Sequence, residues 1–490
     1  VCGTEGRQFE SALVYQKMAK EKNNKPSKET PSGFVDRKEK ELLIRDFVIS
    51  NIKEVMIKYG FQYLETPSFE YTDSIGKFLP DKDRPGEGVF SFKDENKWLS
   101  LRYDLTAPLA RYVAKNYNEI PKPFKRYQLG TVWRNEKPGP GRFREFLQFD
   151  ADYVGTKNPQ ADAELCILLA ETLNKCGLDK NEFVIRVSNR KCFFGLLDWL
   201  KIKNEKQRTE TVRAVDKYER IGIEGVKSLL GKGRADKSGD FTKGVELNEK
   251  QIEYIVKYIK DNSLYDDERE NFKEVRFAPL GNWDDLSPLY DEGIRELGSF
   301  FALTELSDYK DQIVYSPTLV RGIEYYTSTT FEANLLFKVK NQKGKEIEFG
   351  SVGGGGRYDN LINRFGNLDV PCTGVSFGLD RLVFALMQKK DFKIKSVKPV
   401  VICTFDQKNI KNYFDILNKL RSSNISSEIY PGEGKLKKQM EYANKIQSPC
   451  VIFYGDDEIK KGEVKLRNLK TGEELSVKIE NLVNEIKKII

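Results

Sequence analysis

The stretch RYQLGTVWRNEKPGPGRFREFLQFDADYVG, residues 126–155, decides the fold. Two runs rich in β-branched and aromatic residues, 124–134 and 143–155, flank the turn-forming segment NEKPGPG. This pattern predicts a long β-hairpin and, with it, an antiparallel sheet in the middle of the chain.

One face of this hairpin is polar. Side chains alternate along a strand, so Gln148, Asp150 and Asp152 lie on the same face. Arg134 on the neighbouring strand and Arg142 in the connecting loop add positive charge beside them. Such a face is either the floor of a binding site or a solvated surface, since antiparallel sheets often have one wet face.

The segments around the hairpin extend this core. Apolar residues at helical spacing predict a helix over 36–59 that ends at Gly60. Residues 61–73 are predicted to be extended, and 98–117 to run from a strand into a helix. A further helix is predicted over 159–177.

Two motifs follow in the second half of the core. The run GGGGRYD, 353–359, is not a P-loop, because no Gly-Lys-Ser/Thr follows at the required spacing. Its glycines allow close approach of the backbone to a ligand or to a neighbouring strand. Residues 374–388 are predicted to run from strand to helix, with Arg381 near the helix start. A cation there opposes the helix dipole, which indicates either a bound anion or a salt bridge to Asp380 or another carboxylate.

The domain prediction follows from these changes in pattern. The stretch 198–310 is highly charged and helix-like, and 397–490 alternates strands with helices, which predicts a small α/β domain with a parallel sheet. The predicted regions are a disordered leader (1–30), the first half of an α/β core (31–197), a helical insertion (198–310), the second half of the core (311–390) and a C-terminal α/β domain (397–490).

The composition restricts the chemistry. The chain of 490 residues has no histidine, and its seven cysteines form no CxxC pair, so Cys/His zinc sites are excluded and no metal site is predicted. The missing imidazole also excludes Ser-His-Asp and Cys-His catalysis. The sequence contains no apolar run long enough to cross a membrane, and we expect a cytoplasmic protein. A net charge of +8 permits a nucleic-acid partner without demonstrating one.

The segment LVRGIEYYTSTTFEA, 319–333, joins the hairpin as a candidate pocket wall. Arg321 can hold a carboxylate or phosphate bidentately. Tyr325 and Tyr326 offer flat faces with a polar tip, which suit a planar polar ring. For either tyrosine alone, an ordinary aromatic strand face remains an alternative.

Several arginines around one pocket suit a polyphosphate substrate. A carboxylic acid that attacks the α-phosphate of ATP is already an anion, so it needs alignment and charge neutralisation but no general base. A chain without histidine can perform that chemistry. The candidate charged residues are Arg134, Arg142, Arg321, Arg381, Asp104, Glu136 and Asp152.

These residues resemble the class II aminoacyl-tRNA synthetases, and within them the histidyl-tRNA synthetase family, over about 31–490. Residues 61–73 resemble motif 1, 126–155 motif 2, and 374–386 motif 3. LVRGIEYYTSTTFEA and GGGGRYDNL are similar to the two histidine-specific signatures of that family. The resemblance implies an antiparallel catalytic sheet flanked by helices and a C-terminal anticodon-binding domain.

For ATP, the resemblance implies contacts from Arg134 and Arg381 to the phosphates, with Arg142 also in the ATP site and Glu136 near the adenine. It implies that Arg321 is the main charge stabiliser in the transition state. The catalytic set that it implies is Arg321, Arg134 and Gln148.

For histidine, the resemblance implies that Asp104 and Thr106 hold the α-amino group and that Asp152 and Tyr326 contact the imidazole. A carboxylate and a phenol facing two ring nitrogens suit imidazole, which has one donor and one acceptor when neutral. The implied histidine-binding residues are Asp104, Leu105, Thr106, Gln148, Asp152, Arg321, Tyr325 and Tyr326.

The implied activity is histidine–tRNA ligation, with L-histidine, ATP and tRNA(His) as substrates, Mg²⁺ as the accompanying ion and a homodimer, with no membrane partner, as the assembly. One alternative is a synthetase paralogue that regulates the first enzyme of histidine biosynthesis. Such paralogues usually lack the C-terminal domain. A pure RNA-binding module would leave Arg134, Arg321 and Arg381 without a role.

Overall fold

The structure, a computed structural model, describes residues 27–75, 88–139, 141–235, 239–261, 286–320, 326–340, 344–366 and 368–490. The chain divides into two compact units, one that ends at Phe392 and one that spans Lys393–Ile490. Most of the predicted leader, residues 1–26, lies outside the described residues.

The described strands of the first unit range from two to ten residues in length. In chain order they are β1 (Gln62–Tyr63), β2 (Phe69–Tyr71), β3 (Ser91–Asp94), β4 (Lys97–Leu101), β5 (Phe124–Trp133), β6 (Glu145–Val154), β7 (Phe183–Asn189), β8 (Gly233–Ala235), β9 (Phe241–Lys243), β10 (Ile313–Tyr315), β11 (Thr329–Leu335), β12 (Lys338–Lys340), β13 (Glu346–Glu348), β14 (Ser351–Arg357) and β15 (Cys372–Gly378).

The helices of this unit include the three predicted around the hairpin and the one predicted after β15. In chain order they are α1 (Glu39–Lys58), α2 (Thr72–Ile75), α3 (Thr106–Lys115), α4 (Pro159–Lys175), α5 (Arg190–Trp199), α6 (Glu205–Val215), α7 (Tyr218–Leu230), α8 (Glu249–Asp261), α9 (Pro288–Thr304) and α10 (Leu379–Gln388).

The described residues form one large sheet of eight strands in the order β1-β5-β6-β15-β14-β11-β7-β10. Its six central strands pair antiparallel, whereas β1 and β10 add parallel edges. The predicted hairpin is confirmed as β5–β6, which pair from Phe124↔Val154 to Trp133↔Glu145. A smaller sheet, β2-β4-β3, lies in the same unit.

The glycine run explains how tightly the central strands pack. GGGG forms the middle of β14, between β11 and β15. A Cβ atom at Gly355 would lie 2.0 Å from the carbonyl oxygen of Gly374, and one at Gly353 would lie 3.1 Å from Leu169 on α4. Glycine is therefore needed for close approach to a neighbouring strand, one of the two interpretations of this run.

The described part of the predicted helical insertion, 198–310, is mostly helical. It contains α6, α7 and α8, and also the hairpin β8–β9, which the sequence did not predict. Its last helix, α9, packs against α4 and α5 next to the large sheet. The exact boundaries of the domains stay a prediction.

The C-terminal unit has a five-stranded sheet. Its strands are β16 (Val400–Cys403), β17 (Ser427–Ile429), β18 (Cys450–Phe453), β19 (Glu463–Asn468) and β20 (Glu474–Lys478). Its helices are α11 (Ile410–Ser422), α12 (Leu436–Lys445), α13 (Asp456–Lys461) and α14 (Leu482–Ile489).

The prediction of a parallel sheet is correct for β17-β16-β18 but wrong for β19 and β20, which pair antiparallel. The segment VKLRNLKTGEE closes a hairpin there, with Gly472 at φ +81° in its turn. Alternate residues of β16 enter two apolar clusters, Val400 and Ile402 in one and Val401 and Cys403 in the other. The sheet is therefore covered on both faces.

Within the described ranges, no helix is long and apolar enough to cross a membrane.

Candidate active site

A cavity of about 440 Å³ lies over the polar face of the large sheet. Residues of β6, β14, β15 and α10 line it, together with the loop of the β5–β6 hairpin. The predicted site residues that line it are Asp104, Thr106, Arg134, Glu136, Arg142, Gln148, Asp152, Tyr326 and Arg381.

Asp152 anchors one end of the cavity. The register of β5 and β6 places Arg126 opposite Asp152, and Nη2 of the fully buried Arg126 lies 2.9 Å from Oδ2 of Asp152. The hydroxyl of Tyr358 donates to Oδ1 of the same carboxylate. Burial raises the pKa of Asp152, and the charge of Arg126 opposes that rise. The carboxylate is thus fixed in position by two buried partners.

Asp150 and Gln148, which precede Asp152 on β6, are hydrogen-bonded to each other. Nε2 of Gln148 lies 2.9 Å from both carboxylate oxygens of Asp150, so its amide donors face Asp150. Burial, and next the charge of Asp152, raise the pKa of Asp150 to about 7. The carboxyl group of Asp150 therefore changes charge near neutral pH.

Asp104 reaches the cavity from the start of α3. Its Oδ1 accepts hydrogen bonds from the backbone N–H groups of Thr106 at 3.2 Å and Ala107 at 2.9 Å. These bonds satisfy two of the N–H donors that a helix start leaves open. Burial raises the pKa of Asp104, which the two N–H groups and Arg134 oppose.

Leu105 does not line the cavity. Its side chain is buried, and its carbonyl oxygen accepts a hydrogen bond from Nη2 of Arg126 at 2.9 Å. It therefore lies behind the wall that carries Asp104 and Asp152.

Tyr326 lines the cavity at the carboxylate end. Burial raises its pKa, and the charge of Asp150 adds to that rise, so its hydroxyl stays protonated. Arg321 and Tyr325 lie outside the described residues.

Arg134 sits at the other end of the cavity, between two aromatic rings. Its guanidinium carbon is 4.5 Å from the ring centre of Tyr103 and 5.1 Å from that of Phe146. Its Nε donates to the carbonyl oxygen of Tyr103 at 3.3 Å. Cation–π contacts on both rings hold the guanidinium at the cavity wall.

Glu136 and Arg142 pair across the hairpin loop. Nη2 of Arg142 donates to Glu136, which also accepts the hydroxyl of Tyr103 at 2.6 Å. Burial acts to raise the pKa of Glu136, but the Tyr103 hydroxyl and the two nearby guanidinium groups outweigh it and lower the pKa. Arg142 is 65% exposed, so this part of the site is open to solvent.

Arg381 lies in the first turn of α10 and donates to the carbonyl oxygen of Phe349. Its guanidinium carbon is 5.0 Å from the centre of the Phe349 ring. Its neighbour Asp380 pairs instead with Arg37 at 2.8 Å. The predicted alternative of a salt bridge between Asp380 and Arg381 is therefore not formed.

The sequence did not assign roles to Arg126, Tyr358 and Asp150. Tyr358 belongs to the quoted GGGGRYD run, and Asp150 to the quoted polar face. The role of Arg126 was not predicted because its ion-pair partner depends on the hairpin register. A loop rich in glycine and proline does not fix that register. Only the paired strands show the cross-strand pair Arg126↔Asp152.

The cavity thus has a carboxylate end and a guanidinium end. Asp104, Asp150 and Asp152 are buried at the first, and Arg134, Arg142 and Arg381 line the second together with the carboxylates Glu136 and Asp380. In the described part of the chain, no group of three or more cysteine or carboxylate side chains is arranged to hold a metal ion. The arrangement can bind a small cationic or polar group beside a polyanion.

An antiparallel sheet with a motif 2 hairpin and a motif 3 arginine around one cavity is typical of class II aminoacyl-tRNA synthetases. The family model described as histidyl-tRNA synthetase matches residues 33–382, and the anticodon binding domain model matches 399–489. The chain belongs to the histidyl-tRNA synthetase family, as its motifs predicted.

Individual relatives agree with this assignment. A histidine–tRNA ligase from Pelagibacter ubique is 47% identical over 478 residues, which cover 96% of this chain and 100% of the relative. One from Brucella suis is 45% identical over 470 residues, which cover 94% and 92%. The crystal structure of histidyl-tRNA synthetase from Nostoc sp. PCC 7120 superposes with a TM-score of 0.72 at 26% identity, covering 95% of this chain and all of that one.

Proposed function

We propose that the chain is a histidine–tRNA ligase. It activates L-histidine with ATP to histidyl-adenylate, releases pyrophosphate, and transfers histidine to the 3′ end of tRNA(His). The observation that carries this proposal is the two-ended cavity, which joins a buried carboxylate cluster to a set of guanidinium groups.

The carboxylate end suits histidine. Asp104 and Thr106 would hold the α-ammonium group at the start of α3. Asp152 and Tyr326 would face the imidazole, with Tyr325 beside them as the family resemblance implies. Because Arg126 and Tyr358 already fix the Asp152 carboxylate, the ring meets an acceptor that does not have to reorganise.

The guanidinium end suits ATP. Arg134 and Arg381 would contact the phosphates, Arg142 would lie beside them at the open mouth, and Glu136 would face the adenine. Gln148 lies between the two ends and would act, with Arg321, at the histidine carboxylate and the α-phosphate. The aromatic contacts of Arg134 and Arg381 restrict both guanidinium groups before ATP arrives.

The adenylation step needs no side-chain base. A carboxylate oxygen of histidine forms a bond to the α-phosphorus, and the bond from that phosphorus to the bridging oxygen breaks as pyrophosphate leaves. No proton moves in this step, so charge stabilisation is what the side chains supply. This chemistry is compatible with a chain that has no histidine of its own.

Mg²⁺ would accompany ATP and neutralise part of its charge. Glu136 and Asp380, which line the cavity beside the guanidinium groups, already pair with Arg142 and Arg37. Phosphate oxygens and water would therefore supply most ligands of the ion, which suits the preference of Mg²⁺ for keeping several waters.

The assembly that we propose is a cytoplasmic homodimer. One face of the β2-β4-β3 sheet carries three exposed aromatic side chains: Phe69 (48% exposed), Tyr71 (47%) and Phe92 (45%). The ring centres of Phe69 and Phe92 are 5.5 Å apart. An exposed aromatic group of this kind is typical of a subunit interface. Sedimentation velocity of the full chain should give a mass of two chains, and a mass of one chain would contradict this part of the proposal.

The test of the activity is exchange of labelled pyrophosphate into ATP that depends on histidine. We expect exchange with L-histidine and none with the other amino acids or without amino acid, followed by charging of tRNA(His). A chain that bound histidine but gave no exchange would be a regulatory paralogue. A chain that bound only tRNA would be a binding module, and either result would overturn the proposal.

A further inference from the structure

A short segment before α1, residues 32–37, lies against the β5–β6 hairpin. The N–H of Arg144 donates to the carbonyl oxygen of Gly33 at 2.9 Å. Gly33 has φ +84°, and a Cβ atom there would lie 2.5 Å from Cγ of Arg144. The ring centre of the next residue, Phe34, lies 6.0 Å from that of Phe90. The close fit and the left-handed backbone both require glycine at this point.

Arg37, at the end of this segment, contacts two residues that line the cavity. Its Nη2 donates to Oδ2 of Asp380 at 2.8 Å, and its guanidinium carbon lies 5.1 Å from the ring centre of Phe143. The side chains of Arg37 and Asp380 are only 15% and 3% exposed. Arg37 itself does not line the cavity.

The two contacts join parts of the nucleotide end that are remote in sequence. Phe143 follows Arg142 in the hairpin loop, and Asp380 precedes Arg381 on α10. Asp380 also accepts the backbone N–H of Leu147 on β6 at 3.3 Å. Arg37 therefore connects the loop that carries Arg142 to the helix that carries Arg381.

Charge gives a second reason for this contact. A carboxylate at the cavity wall repels the phosphates of a nucleotide, and that repulsion is stronger in a buried site than in water. Asp380 stands at this wall, and Arg37 supplies the opposite charge from behind it. Without Arg37, the buried Asp380 would lose its ion-pair partner. The N–H of Leu147 and the charge of Arg45 would then offset its negative charge less completely.

We propose that Arg37 is a positioning residue for the nucleotide end of the site: through Phe143 and Asp380 it holds Arg142 and Arg381 toward one triphosphate. This inference rests on the proposed function, because it takes ATP as the ligand. Arg37 does not touch the substrate, and its effect is transmitted by Phe143 and Asp380. It also pairs with Glu41 of α1, which does not line the cavity.

The chain offers a matched control. Arg208 pairs with Asp198, and its guanidinium carbon is 5.0 Å from the ring centre of Phe194. Its side chain is 12% exposed, close to the value for Arg37. None of these three residues lines the cavity. Replacing Arg208 by methionine thus removes an arginine–aspartate pair and a cation–π contact away from the nucleotide, at a carboxylate that is 44% exposed.

The experiment compares the full-length chain with its Arg37→Met, Arg37→Lys and Arg208→Met variants. For Arg37→Met we expect the KM for ATP in pyrophosphate exchange to rise on the order of tenfold, because small displacements of aligned groups are costly. The KM for histidine should stay within about twofold of the parent value, because the carboxylate end does not contact Arg37. Arg37→Lys, which retains the charge, should lie between the parent and Arg37→Met, and Arg208→Met should leave both KM values unchanged.

A double-mutant cycle tests the route of the effect. In an Asp380→Asn background, Arg37→Met should raise the KM for ATP less than in the parent, because the anion that Arg37 balances is gone. Equal effects in both backgrounds would contradict transmission through Asp380. Arg37→Met with an unchanged KM for ATP, or with equal increases for ATP and histidine and a lower Tm, would overturn the inference.

Calorimetric titration with ATP separates this inference from the proposed function. If the parent chain shows no exchange, the proposed function fails, but the titration still compares ATP affinity directly. Weaker ATP binding by Arg37→Met than by both the parent and Arg208→Met supports the positioning role. Equal affinity of all three proteins refutes it.

Discussion

The two ends of the cavity differ in how their charges are held. At the carboxylate end, Asp152 is paired with a fully buried arginine and a buried tyrosine, and Asp150 is tied to Gln148. At the guanidinium end, Arg142 is 65% exposed, and aromatic rings contact the guanidinium groups of Arg134 and Arg381. The first end is a closed polar network, and the second is an open group of cations.

This difference fits the two substrates that we propose. A small ring is distinguished from similar rings by fixed donors and acceptors, because an analogue that lacks a partner leaves buried polar atoms unpaired. A triphosphate is recognised mainly through charge-assisted hydrogen bonds from guanidinium groups, which need alignment but not complete burial. We therefore expect substitutions at the carboxylate end to affect both stability and histidine binding, and substitutions at the guanidinium end to affect mainly the rate and the ATP dependence.

The largest effect on stability should come from Arg126→Met. Removal of one partner from a buried ion pair leaves an uncompensated charge, and we expect a loss of about 3–5 kcal/mol in the free energy of unfolding. The KM for histidine should also rise, because Asp152 loses its anchor. Urea unfolding and pyrophosphate exchange measure the two effects.

Lys58→Met is the control for Arg126→Met. Lys58 pairs with Glu171 but is 64% exposed, and its loss should change the stability by less than about 1 kcal/mol. If both variants lose similar stability, the carboxylate end is not the closed network that its contacts indicate.

Arg321→Ala should have the next largest effect, and only on the rate. As the proposed charge stabiliser of the transition state, its loss should lower the rate of adenylation by about 10²–10³-fold. Histidine binding, measured by titration without ATP, should remain largely in place. Equal losses of binding and rate would place Arg321 in ground-state binding instead.

The sequence predicted residues that line both ends of the cavity, but not the partners that hold Asp152. The alternation along 143–155 placed Gln148, Asp150 and Asp152 on one face, since the period of a strand is fixed locally. The arginines came from motifs, and Arg134, Arg142 and Arg381 do line one cavity. The closing partners Arg126 and Tyr358 could not be predicted, because cross-strand and long-range pairs depend on register and topology. For the same reason the contact between Arg37 and Asp380, which are far apart in the chain, was not predicted.

The next effect depends on pH and accumulates gradually as the pH rises toward neutrality. The pKa of Asp150 is about 7 in the folded chain, above that of an exposed aspartate, so the fold favours the protonated form. Its stabilising contribution is complete below the unfolded pKa and is lost as the pH rises through about 7. Asp150→Asn cannot ionise. Its stability relative to the parent should therefore increase with pH between about 4 and 7, by at most about 1.4 kcal/mol per pH unit, and level off above.

Thermal unfolding of the parent and of Asp150→Asn at several pH values measures this difference. Glu145→Gln serves as the control, because Glu145 is an exposed residue of the same strand. A stability difference between Asp150→Asn and the parent that does not depend on pH would show that Asp150 is ionised throughout this range.

The smallest effect should come from Arg142→Gln, at the open mouth of the guanidinium end. Its ion pair with Glu136 is solvent-exposed on the arginine side, so the free energy of unfolding should change by less than about 1 kcal/mol. The KM for ATP should rise only about threefold, because Arg134 and Arg381 keep their aromatic supports. Raising the salt concentration should reduce the difference between Arg142→Gln and the parent, since exposed charges are screened. A loss of ATP affinity as large as that of Arg134→Gln, with no salt dependence, would mean that Arg142 becomes buried against the nucleotide, and the contrast between an open and a closed end would then hold only before ATP binds.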